Sequence, residues 1–171
     1  MKIKILEVGM LKTNCYILEK NNETLIIDPG DDFDKIKENV TTKVVGVIIT
    51  HTHFDHVGAL EEVLNFYNVS LYSRDNLYEG LNNISSFKFN VLYNPGHTKD
   101  SISFIFDDVM FSGDFIFENN IGRCDLGGDF KMMKNSIKKI LERNINYKIY
   151  PGHGSSTSLD IERINLERWL K

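Results

Sequence analysis

Residues 44–56 read Val-Val-Gly-Val-Ile-Ile-Thr-His-Thr-His-Phe-Asp-His, an apolar run that ends in a dense group of polar side chains. The apolar part, Val44–Thr50, lacks polar alternation, which predicts a strand buried on both faces of a sheet. His51, His53, Asp55 and His56 follow it directly, and imidazole and carboxylate groups are ligands suited to zinc, iron or manganese. One ion cannot comfortably take all four groups from so short a segment, so the motif favours two adjacent metal ions.

The other two histidines occupy similar positions. His97 follows Pro95-Gly96 and His153 follows Pro151-Gly152, and each turn comes after a predicted strand. Strand ends are where α/β folds place their ligand sites. Asp114 lies between apolar residues at another predicted strand end, where a carboxylate is costly unless it is paired or metal-bound. We therefore expect Asp114 to be a bridging ligand beside the histidines.

Apolar periodicity predicts a mixed α/β chain. The predicted strands are Lys2–Val8, Cys15–Leu18, Thr24–Ile27, Val44–Thr50, Val69–Tyr72, Phe87–Leu92, Ile102–Phe106, Val109–Phe111 and Tyr147–Tyr150. The predicted helices are Asp31–Val40, one from near Val57 to Tyr67, a short one at Arg74–Leu81, one from Phe130 to Leu141, and Ser158–Leu170. Two groups of strands with helices between and after them favour a layered architecture, with helices covering the faces of the sheets.

Composition narrows the possible functions. The 171 residues are 42% hydrophobic and 26% charged, so we expect a single domain over residues 1–171 with an ordinary core. The net charge of −4 argues against a nucleic-acid partner. No apolar run reaches the length of about 18 residues that a membrane span needs, and no signal peptide is recognisable. With only two cysteines, Cys15 and Cys124, we expect a cytoplasmic protein with reduced thiols.

The ordered motifs resemble those of the metallo-β-lactamase superfamily. They are His-x-His-x-Asp-His at 51–56, Gly-His-Thr at 96–98, Ser-Gly-Asp at 112–114 and Pro-Gly-His-Gly at 151–154. Within that superfamily the chain is most similar to the glyoxalase II-like hydrolases, which segment 121–126 also resembles. The resemblance implies a four-layer αββα sandwich with a dinuclear metal site at one edge.

The resemblance also implies roles for individual residues. The first ion would be held by His51, His53 and His97, the second by Asp55, His56 and His153, with Asp114 bridging them. Asp55 and Asp114 are the residues expected to be catalytic. The expected cofactor is two divalent metal ions, zinc in the first instance, with iron or manganese as alternatives. Asp28 matches a position that orients a ligand, and an Asp-Pro-Gly turn is an equally good interpretation of it.

The implied activity is hydrolysis of a small acyl thioester or ester, such as S-lactoylglutathione, by a hydroxide that bridges the two metals. The alternatives are an iron-dependent persulfide dioxygenase, a lactonase and a non-catalytic metal-binding or interaction protein. The glutathione contacts of full-length glyoxalase II cannot be transferred, because they lie on a C-terminal extension and few residues here follow His153. Arg123 is a candidate for contacting a substrate carboxylate through its planar donors, or else a surface or fold-stabilising residue. Gly96-His97-Thr98 continues as Lys99-Asp100-Ser101 where the family more often has Pro-Gly-Ser, which leaves the shape of that turn open.

Overall fold

The computed structural model describes all residues from Met1 to Lys171. Its N-terminal half forms a five-stranded sheet with helices on the outer face. Its elements are β1 Lys2–Val8, β2 Thr13–Lys20, β3 Glu23–Ile27, helix α1 Phe33–Asn39, β4 Lys43–Ile48, α2 Phe54–Val57, α3 Leu60–Tyr67 and β5 Leu71–Tyr72. The strands pair in chain order, antiparallel from β1 to β3 and parallel from β3 to β5. The hairpin between β2 and β3 turns at Asn21 and Asn22, both with positive φ, as their residue type favours.

The C-terminal half forms a six-stranded sheet and a two-stranded ribbon. Its elements are β6 Gly80–Ile84, β7 Phe87–Tyr93, β8 Ile102–Phe106, β9 Val109–Gly113, β10 Ile116–Phe117, β11 Asn120–Ile121, α4 Phe130–Leu141, β12 Lys148–Pro151, β13 Thr157–Ser158 and α5 Leu159–Leu170. The larger sheet has the order β13-β12-β9-β8-β7-β6, and β10 pairs only with β11. No helix in the chain has both the length and the apolar character that crossing a membrane requires.

Alternate residues of the central strands serve different layers, because successive side chains of a strand point to opposite faces. In β3, Leu25 and Ile27 pack between the two sheets, whereas Ile26 packs with the residues that α1 and α3 bury. In β8, Phe104 lies between the sheets and Ile105 packs with the buried residues of α4 and α5. The molecule thus has four layers in the order helices, sheet, sheet and helices, and an apolar layer lies between each neighbouring pair. The four-layer αββα sandwich of the α/β class, expected from the sequence, is confirmed.

Several strands end at one edge of this sandwich. β9 and β12 are parallel neighbours, so Asp114 and His153, which follow them, emerge on the same side. His51 follows β4 of the other sheet, and the Ile102 amide donates to the carbonyl of Thr50 at 2.9 Å, which ties the two sheets together here. The fold therefore brings loops from both sheets to one edge.

One predicted element is wrong and several are trimmed. The helix predicted at Arg74–Leu81 is a turn followed by strand β6, which begins at Gly80 with a φ of 99°. Side chains compete with a helix here: Asn76 accepts from the Ser73 amide at 2.8 Å and donates to the carbonyl of Leu71 at 2.9 Å. The helix predicted from near Val57 begins earlier and is interrupted, as α2 and α3. The ribbon β10–β11 and strand β13 were not predicted.

Candidate metal centre

All seven side chains predicted as metal ligands meet at this edge of the sandwich. Three groups of side chains each place one donor atom per residue within 4.8 Å of the others. The groups are His51, His53 and His97; His51, His56 and Asp114; and Asp55, His56 and His153. The first and third groups are the two ligand sets that the resemblance implies, and the second group joins them through Asp114.

The first group is formed by the loop after β4 and the loop between β7 and β8. His97 Nε2 faces His53 Nδ1 at 2.8 Å, and the ring of His51 lies 4.8 Å from each of the other two rings. The His97 loop is closed by Ser101, whose hydroxyl accepts from the Thr98 amide at 3.1 Å. The departure from the commoner Pro-Gly-Ser form therefore still yields an ordered turn, and it presents His97 to the site.

The third group, which consists of Asp55, His56 and His153, is formed by helix α2 and the loop after β12. Asp55 Oδ2 lies 3.2 Å from His153 Nε2 and 3.7 Å from His56 Nε2. Asp114 lies between the two groups, with Oδ1 at 3.3 Å from His56 Nε2 and Oδ2 at 3.4 Å from His97 Nε2. A carboxylate that reaches both histidine groups is placed as a bridging ligand must be.

The hydrogen bonds around these rings fit metal ions. His51 Nε2, His56 Nε2 and Asp114 Oδ1 are buried without a hydrogen-bond partner, although buried polar atoms are normally paired. His97 Nδ1 donates to the carbonyl of Arg123 at 2.6 Å, and His53 Nε2 donates to the carbonyl of Leu126 at 3.1 Å. When neutral, the rings of His97 and His53 therefore direct the lone pairs of Nε2 and Nδ1 at each other, an arrangement that a shared cation stabilises. Borderline nitrogen donors together with carboxylates suit zinc, iron or manganese.

Asp28 holds His56 in place. Its Oδ2 accepts from His56 Nδ1 at 2.9 Å and from the Thr50 hydroxyl at 2.7 Å, while Oδ1 accepts from the Thr50 amide at 2.7 Å. The pair is fully buried, with the His56 side chain 0% and the Asp28 side chain 1% exposed. The bond to Nδ1 fixes the tautomer and leaves Nε2 aimed at the site, as carboxylates behind metal-binding histidines do. The orienting role is the interpretation of Asp28 that the geometry bears out.

Sequence reasoning missed several contacts that orient ligands. The Thr13 hydroxyl donates to Asp55 Oδ2 at 2.9 Å, and His153 Nδ1 donates to the carbonyl of Leu11 at 3.1 Å. The carbonyl acceptors carry no sequence signal, because every residue has one. Thr13 is the first residue of β2, and only the fold shows that the start of β2 reaches His153, with which Thr13 forms an isolated bridge.

Burial and charge set the protonation of the inner groups. Burial, with the charge of His56 adding to it, lowers the pKa of His51 to about 2. Burial alone would also lower the pKa of His56, but the carboxylates of Asp28 and Asp114 raise it to about 10. Burial opposes ionisation of Asp114, but His56 lowers its pKa to about 2. His51 is therefore a neutral donor, whereas a metal ion on His56 Nε2 has to displace a proton.

A cavity of about 760 Å³ opens above these groups. Its floor contains Asp114 and four of the other predicted ligands, and its walls include Leu11, Phe54, Phe117 and Leu126. This volume is typical of small-molecule sites. Arg123 also lines the cavity, but Nε and Nη2 of its guanidinium both donate to Asp125, each at 2.6 Å. Arg123 thus lines the cavity, and Asp125 already accepts hydrogen bonds from two of its guanidinium nitrogens.

Comparison with known proteins agrees with this architecture. The metallo-β-lactamase superfamily model matches residues 8–83 and 74–153. Hydroxyacylglutathione hydrolase GloC of Haemophilus influenzae is 31% identical over 95% of this chain and 95% of that protein. The crystal structure of the BLEG-1 B3 metallo-β-lactamase matches with a TM-score of 0.86 and 29% identity, covering 94% of this chain and 96% of that one.

A second solved structure bears on the metals. TTHA1623, in a di-iron-bound form, matches with a TM-score of 0.83 and 28% identity, covering 93% of this chain and 96% of that one. The family match, the αββα fold and the grouped histidines and carboxylates lead to one conclusion. The chain belongs to the metallo-β-lactamase superfamily and is a metal-dependent hydrolase.

Proposed function

We propose that the chain is a dinuclear metal-dependent thioester hydrolase, with S-lactoylglutathione as the reference substrate. The observation that carries this proposal is the pair of ligand groups joined by Asp114 on the floor of one cavity. The likeness to a hydroxyacylglutathione hydrolase over nearly the whole of both chains supports thioester chemistry.

We assign all seven grouped side chains as metal ligands. The first ion is held by His51, His53 and His97, the second by Asp55, His56 and His153, and Asp114 reaches both. Zinc is the metal we propose, and the di-iron-bound relative makes iron the principal alternative. When bound, two such ions supply Lewis acidity, which lowers the pKa of water towards neutrality and polarises an acyl carbonyl.

The chain's own contribution is to hold the donors rigid and to shape the cavity. Asp28 and Thr50 fix the ring of His56, and Thr13 fixes one oxygen of Asp55. Backbone carbonyls fix the tautomers of His53, His97 and His153, so few donors have to reorganise during the reaction. The thiol of a thioester leaves readily, so no protein nucleophile is required, and Cys15 is buried in the core away from the cavity.

The test is thiol release from S-lactoylglutathione and other acyl thioesters by the metal-loaded protein, with oxygen consumption on glutathione persulfide measured in parallel. We expect thioester turnover without oxygen consumption, and loss of turnover in Asp114→Ala. Oxygen uptake on the persulfide without thioester turnover would instead identify a dioxygenase. A protein that binds metal and hydrolyses no thioester would contradict the proposal.

A further inference from the structure

The mouth of the cavity carries large apolar side chains that the fold does not need. We define the apolar rim as Met10, Leu11 and Phe54. These side chains are 98%, 54% and 74% exposed. Leu11 and Phe54 line the cavity of about 760 Å³ above the grouped side chains, which we call the main cavity. All three rim residues line an adjoining cavity of about 320 Å³, and Asp55 lines both cavities. Exposed apolar side chains that cluster at a cavity mouth mark a binding surface more often than a fold requirement.

The local structure offers no folding reason for this rim. Met10 and Leu11 form the tight turn between β1 and β2, in which the Lys12 amide donates to the carbonyl of Gly9 at 3.2 Å. Turns of this kind favour small and polar residues. Phe54 is the first residue of α2 and directs its ring into solvent. Each of these positions would accept a polar side chain without loss of core packing.

Charge around the two cavities disfavours an anionic substrate. The adjoining cavity is lined by Asp31 and Asp55 and by no lysine or arginine. The main cavity has Arg123 as its one lysine or arginine, and Asp125 binds that guanidinium through both carboxylate oxygens. The pair is exposed and contributes little to stability, but an incoming carboxylate meets almost no net positive charge from it. Thioesters of glutathione carry two carboxylates, which find no free basic side chain in either lining.

We infer that the preferred substrates are thioesters with an apolar acyl chain and an uncharged leaving thiol. This inference rests on the proposed thioesterase activity. The acyl chain lies against the apolar rim while its carbonyl faces the floor of the main cavity. In the reaction, water forms the new C–O bond, the C–S bond breaks, the thiol takes up a proton and the carboxylic acid is released.

The first experiment compares kcat/KM of the metal-loaded protein for four substrates: the acetyl and hexanoyl thioesters of N-acetylcysteamine, and the same two acyl groups on glutathione. Each buried methylene contributes about a fourfold gain, so with partial burial we expect hexanoyl to exceed acetyl by about tenfold or more. We also expect each neutral thioester to exceed its glutathione counterpart. Equal rates for both chain lengths, or a preference for glutathione, would overturn the inference while leaving the thioesterase proposal intact. Failure on all four substrates with metal bound would overturn the proposed function and, with it, the inference.

Two sets of variants assign the preference to named residues. The double variant Met10→Gln/Phe54→Gln is expected to reduce the hexanoyl-to-acetyl ratio about fivefold or more, at unchanged metal content. The control is Ile161→Gln/Ile164→Gln, which changes two apolar residues on α5 that are 64% and 65% exposed and that line neither cavity. Equal hexanoyl-to-acetyl ratios in the two double variants would show that the apolar rim does not select the acyl chain.

A single variant tests whether charge near Arg123 selects the leaving thiol. Asp125→Asn frees the guanidinium of Arg123, so we expect the efficiency on hexanoylglutathione, relative to the neutral hexanoyl thioester, to rise severalfold. Asp160→Asn is the control, because Asp160 has a similarly exposed carboxylate and pairs with an arginine, Arg163, on α5. A ratio that does not change in Asp125→Asn would show that charge at this position does not select the leaving thiol.

Discussion

At the scale of single residues, six of the seven candidate ligands are each held by a second group, Asp114 being the exception. His56 is the clearest case, since Asp28 accepts from its Nδ1 while Thr50 donates twice to Asp28. Burying a carboxylate is costly unless its hydrogen bonds are complete, and here both oxygens are used. This network directs His56 Nε2 at Asp114 without any adjustment of the ring.

Asp28→Asn tests this network. An amide places an N–H₂ group against donors that need an acceptor, so the ring of His56 loses its fixed orientation. We expect metal affinity to fall by about 10–100-fold, as for other groups that support metal ligands. Competition with a chromogenic chelator measures it, with Asp34→Asn on the exposed first turn of α1 as the control. Equal affinities in the two variants would contradict the orienting role.

At the scale of elements, strand ends and tight turns determine where the donor side chains lie. The loop after β12 approaches the site so closely that a Cβ on Gly152 would lie 2.1 Å from Asp114 Oδ1 and 2.7 Å from His56 Cε1. Gly152 also joins neighbouring strands, since its amide donates to the carbonyl of Gly113 at 2.9 Å and its carbonyl accepts from the Asn14 amide at 2.7 Å. A backbone held on both sides cannot move away from a new side chain.

Gly152→Ala is therefore expected to displace Asp114 and His56 and to lower metal occupancy together with activity. Gly154→Ala is the comparison, because its Cβ meets nothing within 4 Å while its φ of 73° makes any side chain strained. We expect that variant to lose about 1 kcal/mol of stability and to keep its metal. Elemental analysis and thermal unfolding of both proteins separate the two effects, and full metal occupancy in Gly152→Ala would contradict the close approach.

The β1–β2 pair supplies a pH-dependent contribution to stability. Glu19 accepts from the Thr41 hydroxyl and pairs with Lys2 and Lys4, and these contacts lower its pKa from 4.5 to about 2. A lowered pKa stabilises the fold above pH 4.5, and this contribution disappears as the pH falls towards 2. In Glu19→Gln we expect a loss of about 1 kcal/mol at neutral pH, because the lysines are partly exposed. Urea unfolding at several pH values measures it, and a loss that persists at the lowest pH would contradict the assignment.

Elements with strong local patterns were predictable from the sequence, and those that depend on distant partners were not. Helix α4 and strand β1 have the bounds that their apolar spacing predicts. The helix predicted at Arg74–Leu81 does not form, and its last two residues belong to strand β6 instead. There Leu81 pairs with Asn90 of β7, a contact that no local pattern records. Likewise, the spacing of His51–His56 predicted side chains that do come together, but the proximity of Thr13 to Asp55 depends on the sheet edge.

At the scale of the whole molecule, metal ions would join the two sheets. The ligand groups draw on loops from both halves of the sandwich, so ions bound there add a link between halves that the apolar layer and a few backbone hydrogen bonds also join. The motif order along the chain was enough to predict this arrangement. The apolar rim was not predicted, because exposure of a turn residue depends on what the folded chain leaves uncovered.

Removing metal is expected to lower the melting temperature. A ligand present at about a hundred times its Kd contributes about 2.7 kcal/mol, and each kcal/mol shifts the Tm of a domain of this size by about 2–4 °C. We therefore expect chelation to lower Tm by about 5–10 °C for each tightly bound ion, with full recovery when zinc is added back. Calorimetry with and without chelator measures the shift, and identical curves would mean that the ions do not link the sheets.

The central claim is that one chain binds two metal ions that share Asp114. Native mass spectrometry of the protein titrated with zinc counts the ions on each folded chain directly. We expect saturation at two ions per chain, and loss of the two-ion species in Asp114→Ala. Saturation at a single ion, or an unchanged two-ion species in Asp114→Ala, would contradict it.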